Sequence, residues 1–581
     1  MALKKAKRYE LPDTQIDKAN EKNLVQTGGN SVSNIGTTIK FPPNRVFGNT
    51  EDTSSINIEY INQNIDTDKY TSILRYFFKG KEHKLEVNRS SYLRKNEIIK
   101  LQDFGLQVTE RNAHDIIKQL EIAERNAPIN KVHSKIGFDI YDRNYVFKHS
   151  RGVNVYSSYI GKLDISPKGD YGTWYKNLHE NVIGNIPLEA MLVVGFSSAI
   201  VGLLSILSNK DSLVVHLSGD STTGKTTASM LAISIWGNPS TKISNGLSTT
   251  WNTTENAMFH NIVGNHGLAV LFDEVSMNNS LDFTKFIYKF TGNKDKSRLN
   301  KESKLEVAGT WGTVIITNGE FSLLIKSKKN TGAQLRIIDF NNIAWTKDAI
   351  SADEINQCIL ENYGHAGTIF VGKLLEMKVD DIHDEIIELK EYTVEQMKEK
   401  GVKDKYVERR SLNYAILMYT AYKVSELLSI PLHIEDIWNF LMDNEKESIE
   451  GRDLQNKAYT YFLEQVNINH NKFIHSDSMQ TSNPIDIKNS GYEIMGKINV
   501  LTKENYNEIC IFQNYFNELM KNGGFEDSKI ILKKWKDEGI LDCEADRYTR
   551  KRTLIPSMGA VPIYVIRVKK EDFSDKDRSI F

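Results

Sequence analysis

The segment Gly219-Asp-Ser-Thr-Thr-Gly-Lys-Thr226 has the residue types and the spacing of a phosphate-binding loop. Its two glycines permit backbone angles that would strain other residues, and the helix expected from Thr226 onward would point its N-terminus at the same phosphate. Lys225 would reach the β- and γ-phosphates, and the Thr226 hydroxyl would ligate Mg²⁺. The predicted ATP-binding residues are Gly219, Asp220, Ser221, Thr222, Thr223, Gly224, Lys225, Thr226 and Thr227.

Two carboxylates follow the apolar run Leu268-Ala-Val-Leu-Phe272, which predicts a buried strand. Placed beside the strand that precedes the phosphate-binding loop, Asp273 would hold the Mg²⁺ shell and Glu274 would polarise the attacking water. The alternative is an acidic turn facing solvent. Asn318 ends another apolar strand, from which it would contact the γ-phosphate or the water.

Arg336 precedes the apolar run Ile337 to Phe340. Two roles fit an arginine at this place: a structural ion pair, or an arginine finger that acts on the nucleotide of a neighbouring subunit.

The lysine-rich segment 292–301 lies between two extended arms, and this pattern predicts a β-hairpin with a basic tip. The alternative is a flexible, solvated loop. If the hairpin forms, it offers a local basic surface to DNA.

Composition limits where such contacts can occur. The formal net charge of the 581 residues is -1, so a nucleic-acid site must be a local patch or a channel built by assembly. Three widely spaced cysteines without a CxxC pair favour a reducing compartment, which we take to be the cytoplasm. The apolar segment Ile186 to Leu207 is long enough to span a bilayer, but Glu189 and several serines interrupt it. We therefore predict a buried core helix and no membrane association.

The last residues resemble a winged helix in their pattern: two helices separated by Gly523-Gly524, then strands joined by a basic wing. Lys533 and Lys534 on the second helix, with Arg550 and Arg552 in the wing, are the candidate contacts with duplex DNA. Winged helices also serve as protein-contact modules, so that alternative stays open.

The sequence thus predicts a multidomain α/β protein. An N-terminal α+β domain would contain strands at 70–78, 84–87, 136–141 and 145–148 and a helix at 113–127. The expected division is a disordered tail at 1–35, the N-terminal domain at 36–166, a linker and helix at 167–182, an ATPase core at 183–345, a helical lid at 346–450 and the winged helix at 451–581.

The order of the motifs resembles AAA+ helicases with a hairpin before the sensor-1 strand, a group that includes the minichromosome maintenance and superfamily-3 helicases. It is most similar to replication-initiation helicases of staphylococcal mobile elements, namely the cassette chromosome helicases and the pathogenicity-island Rep proteins. The motifs that carry the resemblance are Gly219 to Thr227, Thr250-Trp-Asn-Thr-Thr-Glu-Asn-Ala257, Phe272-Asp-Glu-Val275, Lys296-Ser-Arg-Leu-Asn-Lys301, Thr317-Asn-Gly-Glu320, Gln334-Leu-Arg336 and Tyr363-Gly-His-Ala366.

This resemblance implies a ring, expected to be a hexamer, that hydrolyses ATP between subunits and moves 3′→5′ on single-stranded DNA. Lys225, Asp273, Glu274 and Asn318 would act within one subunit, and Arg336 would act from its neighbour. The hairpin would project into the central channel, where its candidate DNA contacts are Lys294, Lys296, Arg298 and Lys301. The sequence lacks the N-terminal zinc cysteines common in minichromosome maintenance proteins, so their N-terminal collar is not carried over.

The leading hypothesis is therefore an ATP- and Mg²⁺-dependent DNA helicase that initiates or drives replication of a mobile genetic element. Its partners would be single-stranded and forked DNA, an origin duplex and accessory replication proteins. The alternative is an ATP-switched initiator that binds and melts an origin and loads another helicase. The basic hairpin favours the helicase. A protein-remodelling machine would need aromatic pore loops, and the tip between Asn293 and Lys301 has no aromatic residue.

Overall fold

The computed structural model describes residues 56–278, 280, 282–295, 308–324, 326–327, 331–402, 406–452, 454–475, 493–525, 528–554 and 559–570. The tail predicted at 1–35, and Lys296, Arg298 and Lys301 of the hairpin, lie outside these residues.

Four sheets and a set of helices make up the described chain. The strands are β1 (Asn57–Asn64), β2 (Lys69–Phe78), β3 (Lys81–Asn88), β4 (Ile129–His133), β5 (Ile136–Tyr141), β6 (Asn144–Lys148), β7 (Ser158–Tyr159), β8 (Leu213–Ser218), β9 (Ser248–Thr250), β10 (Asn265–His266), β11 (Val270–Asp273), β12 (Val314–Gly319), β13 (Ile337–Asn341), β14 (Phe473–His475), β15 (Gly496–Asn499), β16 (Tyr506–Phe512), β17 (Leu541–Asp542), β18 (Arg550–Arg552) and β19 (Val561–Lys569).

The α-helices are α1 (Arg89–Leu93), α2 (Lys95–Ile98), α3 (Ala113–Asn126), α4 (Tyr171–Asn181), α5 (Ile186–Leu207), α6 (Lys225–Ser234), α7 (Glu255–Ile262), α8 (Thr284–Thr291), α9 (Thr331–Gln334), α10 (Ala349–Glu361), α11 (Ala366–Leu374), α12 (Val379–Glu399), α13 (Val407–Leu428), α14 (Ile434–Arg452), α15 (Leu454–Ile468), α16 (Gln513–Asn522) and α17 (Ser528–Asp537). Short 3₁₀ helices occupy Ile99–Phe104, Val275–Met277 and His470–Lys472.

The N-terminal region is the α+β unit that the sequence predicts. Strands β1, β2 and β3 form an antiparallel meander, and β4 lies parallel to β1 on its other side. Helices α1 to α3 pack on this sheet around Leu74, Tyr92 and Leu120, which are fully buried. The strands predicted at 70–78 and 84–87 and the helix predicted at 113–127 are present in this unit, and β1 and β4 are additional elements.

The boundary predicted at residue 166 differs from the structure. The β5–β6 hairpin pairs with β10 of the central region, and Phe138 and Phe147 join the central hydrophobic core. The sequence predicted both strands from their apolar alternation, but alternation does not specify which sheet a hairpin joins. Lys148 connects the two regions, because its ammonium lies 2.5 Å from both Asp66 of the N-terminal unit and Asp139 of the hairpin.

The central sheet is parallel, in the order β13-β8-β12-β11-β9. Strand β8 leads into the glycine-rich loop, and β11 ends at Asp273. The prediction that these two strands are neighbours is wrong, because β12 lies between them. Hydrophobic runs identify buried strands without specifying their lateral order. The observed order puts Asn318 of β12 between the loop and the two carboxylates.

By length and composition alone, helix α5 could span a membrane. Its most apolar part is 83% buried in the central core, so the predicted core helix is confirmed. The fully buried Glu189 accepts hydrogen bonds from the Gly184 N–H at 2.7 Å and from the His433 N–H at 2.7 Å. The His433 ring nitrogen Nδ1 lies 2.8 Å from the same carboxylate. Helix α5 is therefore fixed to the turn between α13 and α14.

Helices α10 to α14 lie where the sequence predicted a helical region. Helix α10 packs against α6, while α13 and α14 pack against α5. In the C-terminal region, α15, α16 and α17 cover one face of the sheet β14-β15-β16-β19-β17, with β18 also paired to β19. The two predicted helices, the turn at Gly524 with φ of 79° and the returning strand are all present.

Candidate active site

The glycine-rich loop joins the end of β8 to the first residue of α6. Gly219 and Gly224 have φ of 136° and 83°, values that L-residues rarely adopt. A Cβ at Gly224 would lie 2.5 Å from the Thr346 hydroxyl, so this position also requires glycine for space. The loop is fixed from outside by the Trp345 N–H, which donates to the Thr223 carbonyl at 2.8 Å. The predicted strand, loop and helix are thus contiguous.

Lys225 is placed at the first turn of α6. Its ammonium donates to the carbonyls of Gly219 at 2.9 Å and Asp220 at 2.6 Å, so it lies over the loop. The neighbouring Thr226 is exposed, as a ligand-binding hydroxyl must be. Thr227 differs: it is buried, and its hydroxyl accepts a hydrogen bond from the Asn356 amide at 2.9 Å. The side chain of Thr227 therefore faces α10 rather than the loop.

Asn318 connects the two predicted acidic residues. Its amide nitrogen donates to Asp273 Oδ1 at 2.8 Å, and its amide oxygen accepts from the Glu274 N–H at 2.8 Å. Burial raises the pKa of Asp273, the hydrogen bond from Asn318 opposes that rise, and the neighbouring Glu274 charge adds to it. Because Asn318 is only 2% exposed, its amide is held in one orientation.

Glu274 has a φ of 61°, a left-handed conformation that costs free energy in a non-glycine residue. Its buried Oε1 has no hydrogen-bond partner among the described residues. Such strain persists only where the surroundings fix it, and it clusters at functional sites. A carboxylate oxygen with spare accepting capacity at the end of β11 can accept a proton or orient a water.

These side chains fit a Mg²⁺-nucleotide. Mg²⁺ prefers oxygen ligands and is usually held by one or two protein groups together with substrate phosphates. Thr226, in the first turn of α6, and Asp273, at the end of β11, supply one hydroxyl and one carboxylate at the carboxyl edge of the parallel sheet. Within the part of the chain that the structure describes, no group of three or more His, Cys, Asp or Glu residues could hold a metal without further ligands.

Arg336 lies at the other end of the sheet from its own loop. It immediately precedes β13, whose last residue Asn341 pairs with Ser218 at the start of the loop. Arg336 and Asn341 are five residues apart along the strand, which corresponds to roughly 16 Å. The guanidinium instead donates to the Gly332 carbonyl at 2.7 Å, lies 3.8 Å from Asp211 and stacks on Tyr288. Arg336 therefore cannot serve the nucleotide of its own subunit in this arrangement, and its side chain remains 23% exposed.

The predicted hairpin has a paired base. Lys294 and Thr310 form an antiparallel bridge, with hydrogen bonds from the Asp295 N–H to Gly309 and from the Trp311 N–H to Asn293. Lys294 is exposed, so this candidate DNA contact is accessible to solvent.

Two features of the site were not predicted. His216, on β8, hydrogen-bonds Thr317 of β12 at 2.6 Å through one ring nitrogen and the Phe321 carbonyl at 2.9 Å through the other. Burial lowers the pKa of His216, so the ring is neutral, and it fixes β8 against the strand that carries Asn318. A polar residue within the apolar run Leu213 to Leu217 was the available signal.

The second unpredicted feature is the role of Trp251, which belongs to the Thr250 to Ala257 motif and is 2% exposed. Its backbone N–H donates to the Asp273 carbonyl at 3.0 Å, and its ring Nε1 donates to the Phe272 carbonyl at 3.1 Å. The same ring packs on Phe286 and Phe290 of α8, the helix that leads into the hairpin. Trp251 therefore contacts both the acidic strand and the support of the hairpin.

The four predicted contacts of the C-terminal region lie on two surfaces. Lys533 is exposed on α17, where Lys534 also lies 3.7 Å from Glu538. Arg550 and Arg552 instead contact Asp542, on the face of the sheet that the helices do not cover. The four candidate residues therefore do not form one continuous basic surface, because alternate residues of a strand point to opposite faces.

Comparisons with known proteins place this geometry in context. Residues 42–307 match a family described as a domain of unknown function, DUF927, and residues 453–571 match the Cch helix turn helix domain. Among solved structures, SCCmec type IV Cch, an active helicase, shares the fold with a TM-score of 0.71 at 22% sequence identity. The match covers 90% of this chain and 94% of that one. No curated protein matches the chain. The predicted resemblance to the cassette chromosome helicases is confirmed by the shared fold and the C-terminal domain.

Proposed function

We propose that this chain, with the fold of a cassette chromosome helicase and the corresponding C-terminal domain, is an ATP-dependent DNA helicase. The observation that carries the proposal is the bridge from Asn318 to Asp273 and Glu274, opposite a lysine-bearing phosphate loop. We further infer that it is a cytoplasmic AAA+ protein which initiates or drives replication of a mobile genetic element.

Each side chain at the loop has a distinct task in this proposal. The loop N–H groups and Lys225 bind the phosphates and neutralise charge that develops on the γ-phosphate. Thr226 and Asp273 would hold Mg²⁺, which supplies Lewis-acid polarisation of the phosphate oxygens when bound. Glu274, with its free buried oxygen, orients the attacking water and accepts its proton. Asn318 holds both carboxylates in register with the loop.

Assembly completes the site. Because Arg336 lies about 16 Å along the strand from its own loop, we assign it to the nucleotide of the adjacent subunit. A heterologous contact of this kind, repeated with closure, generates a ring, for which we propose six subunits. Trans-acting arginines raise turnover by about 10³ to 10⁵ in related NTPases, so hydrolysis would depend on assembly.

The hairpin is the proposed contact with single-stranded DNA. One basic hairpin from each subunit, carrying Lys294, Lys296, Arg298 and Lys301, would make a positive channel although the chain has a net charge of -1. The 3′→5′ direction is carried over from the resemblance alone. The origin duplex, forked DNA and accessory replication proteins remain the proposed partners.

The second candidate function is an ATP-switched initiator that binds and melts an origin and then loads another helicase. The helix-turn-helix match favours the initiator as much as the helicase, because both proposed functions include binding of duplex DNA. The paired base of the hairpin favours the helicase, since a switch that only marks DNA needs no channel contact.

ATP-dependent strand displacement on a forked duplex tests the proposal. We expect wild-type protein to separate the strands and the Glu274→Gln protein to bind ATP but not to separate them. Glu180→Gln, which changes an exposed carboxylate paired with Lys176 on its own helix, is the control and should act like wild type. Forks with only a 3′ or only a 5′ tail give the direction. If wild type hydrolyses ATP on DNA without displacing a strand, the initiator reading replaces the helicase.

A further inference from the structure

The C-terminal sheet has two chemically different faces. Ile509, Tyr564 and Ile566 point toward α15, α16 and α17 and form the hydrophobic core of the domain. The alternate residues of these strands point the other way, where Cys510, Ile563 and Val565 form a second buried cluster with Leu554. The cross-strand register puts Arg567, Asp542 and the β18 arginines on the same second face.

Three arginines on this second face share one carboxylate. Arg550 Nη2 lies 2.6 Å and Arg567 Nη2 3.1 Å from Asp542 Oδ1, while Arg552 Nη2 lies 3.6 Å from Oδ2. The Asp542 side chain is 9% exposed, whereas the three arginine side chains are 36%, 45% and 37% exposed in the order 550, 552, 567. We call Arg550, Arg552 and Arg567 the arginine face.

The arginine face carries excess positive charge and unused donors. Glu508 also lies on this face, opposite Arg567 in the strand register, and Lys497 lies there too, so four basic groups face two carboxylates and two positive charges remain. Each guanidinium has five N–H donors in a fixed fork, of which Asp542 engages only a part. Arg567 is further held by stacking on the Tyr506 ring. Donors that are ordered before a ligand arrives lose less entropy when they bind it.

Helix α17 offers a separate basic surface. It packs on the opposite face of the sheet through Ile531, Leu532 and Trp535. Lys536 is not available there, because its ammonium donates to the carbonyls of Glu544, Ala545 and Arg547. The exposed Lys533 and the arginine face are therefore divided by the thickness of the sheet.

We infer that the arginine face binds the sugar-phosphate backbone of duplex DNA at a place distinct from α17. Planar guanidinium forks match phosphate oxygens, and the ordered cluster presents two charges more than it neutralises. The C-terminal domain then holds duplex DNA through two surfaces, one on each side of its sheet. This inference rests on the DNA-binding part of the proposed function.

Salt-dependent binding of the full chain to a fluorescent duplex tests it. Two phosphate contacts contribute about -1.8 to the slope of log K against log salt, so R552A/R567A should reduce the slope by that amount and weaken binding about 30-fold at 0.15 M salt. Asp542 keeps Arg550 in this variant, so no buried carboxylate is left unpaired. R552K/R567K should restore most of the slope. Lys176→Ala, which removes an exposed lysine that is paired with Glu180, serves as the control.

Two outcomes overturn the inference. The first is an unchanged slope in R552A/R567A, or, if that variant melts early, in the single variants R552Q and R567Q. The second is that R552A/R567A no longer weakens DNA binding once Lys533→Ala is also present, because two separate surfaces must contribute additively to the binding free energy. Strand displacement by wild type is measured in parallel. If wild type displaces the strand but the salt slope of R552A/R567A is unchanged, only the DNA-binding role of the arginine face is rejected. If wild type displaces no strand, the proposed helicase activity is rejected.

Discussion

Replacing Asn318 by alanine tests the centre of the proposed site. The substitution removes two hydrogen bonds of 2.8 Å, one to the Asp273 carboxylate and one from the Glu274 N–H. A hydrogen bond to a charged group contributes about 1.5–3 kcal/mol, so the loss of the Asp273 contact by itself predicts a cost near 2 kcal/mol. If that cost appears in the activation free energy, turnover falls about 30-fold.

Asn318→Ala should also change how turnover depends on Mg²⁺ and pH. The hydrogen bond from Asn318 holds down the pKa of Asp273 against the effect of burial, so its loss raises that pKa further. More of the carboxylate is then protonated at a given pH, and a higher Mg²⁺ concentration is needed for half-maximal activity. Steady-state phosphate release with saturating single-stranded DNA, measured across Mg²⁺ concentrations, reports both changes.

Asn238→Ala is the matched control for this experiment. Asn238 likewise donates to a carboxylate, Asp164 at 2.8 Å, and accepts from a backbone N–H, that of Ser240 at 3.1 Å, but it lies outside the proposed site. The two variants should lose similar thermal stability, while only Asn318→Ala loses turnover. Turnover by Asn318→Ala within about twofold of wild type at saturating Mg²⁺ would refute the reasoning, because a difference that small is under 0.5 kcal/mol.

The remaining predictions concern assembly, coupling and pH. Lys225→Ala and Arg336→Ala proteins should each lack ATPase activity. An equal mixture of the two should regain part of it, because roughly a quarter of randomly formed subunit interfaces then pair an intact lysine with an intact arginine. Failure of the mixture to hydrolyse ATP would assign Arg336 to a structural ion pair. Trp251→Phe should keep DNA-free ATPase within about threefold but lose about tenfold of its DNA stimulation, because the lost Nε1 bond to the Phe272 carbonyl ties the ring that packs on α8 to the acidic strand. Trp174→Phe, which loses a comparable buried bond to Ser234, is its control and should keep the stimulation. Since burial raises the pKa of Asp273, ATPase activity should disappear as the pH falls through a value above the ordinary aspartate pKa of about 3.9, and an acid limb at or below that value would contradict this.

Local sequence was sufficient for the elements and for the candidate residues of the site. The spacing of Gly219, Gly224 and Lys225 identified the loop, and apolar runs ending in Asp273 and Asn318 identified the two strands that face it. These features depend on residues close together in the chain, where glycine conformation and strand periodicity act directly. The core assignment of α5 followed from Glu189 and the serines within it.

Tertiary structure decided what depends on contacts between distant residues. It inserted β12 between β8 and β11, and thereby brought Asn318 to both carboxylates. It joined the β5–β6 hairpin to the central sheet, and it buried Trp251 between the acidic strand and α8. None of these pairings has a local pattern, because strand order and cross-sheet packing follow from the total burial that the whole chain achieves.

The contrast is clearest at the charged residues. The sequence by itself determined which lysines, arginines and carboxylates have the chemistry for phosphate and DNA, because charge and donor geometry belong to the residue type. The structure alone decided which of them act together. It put Arg336 out of reach of its own loop, and it separated Arg550 and Arg552 from Lys533 by directing them to the other face of the sheet. A shift of one residue in strand register moves every side chain to the opposite face of the sheet. Which face carries each arginine is therefore known only once the strand pairing is known.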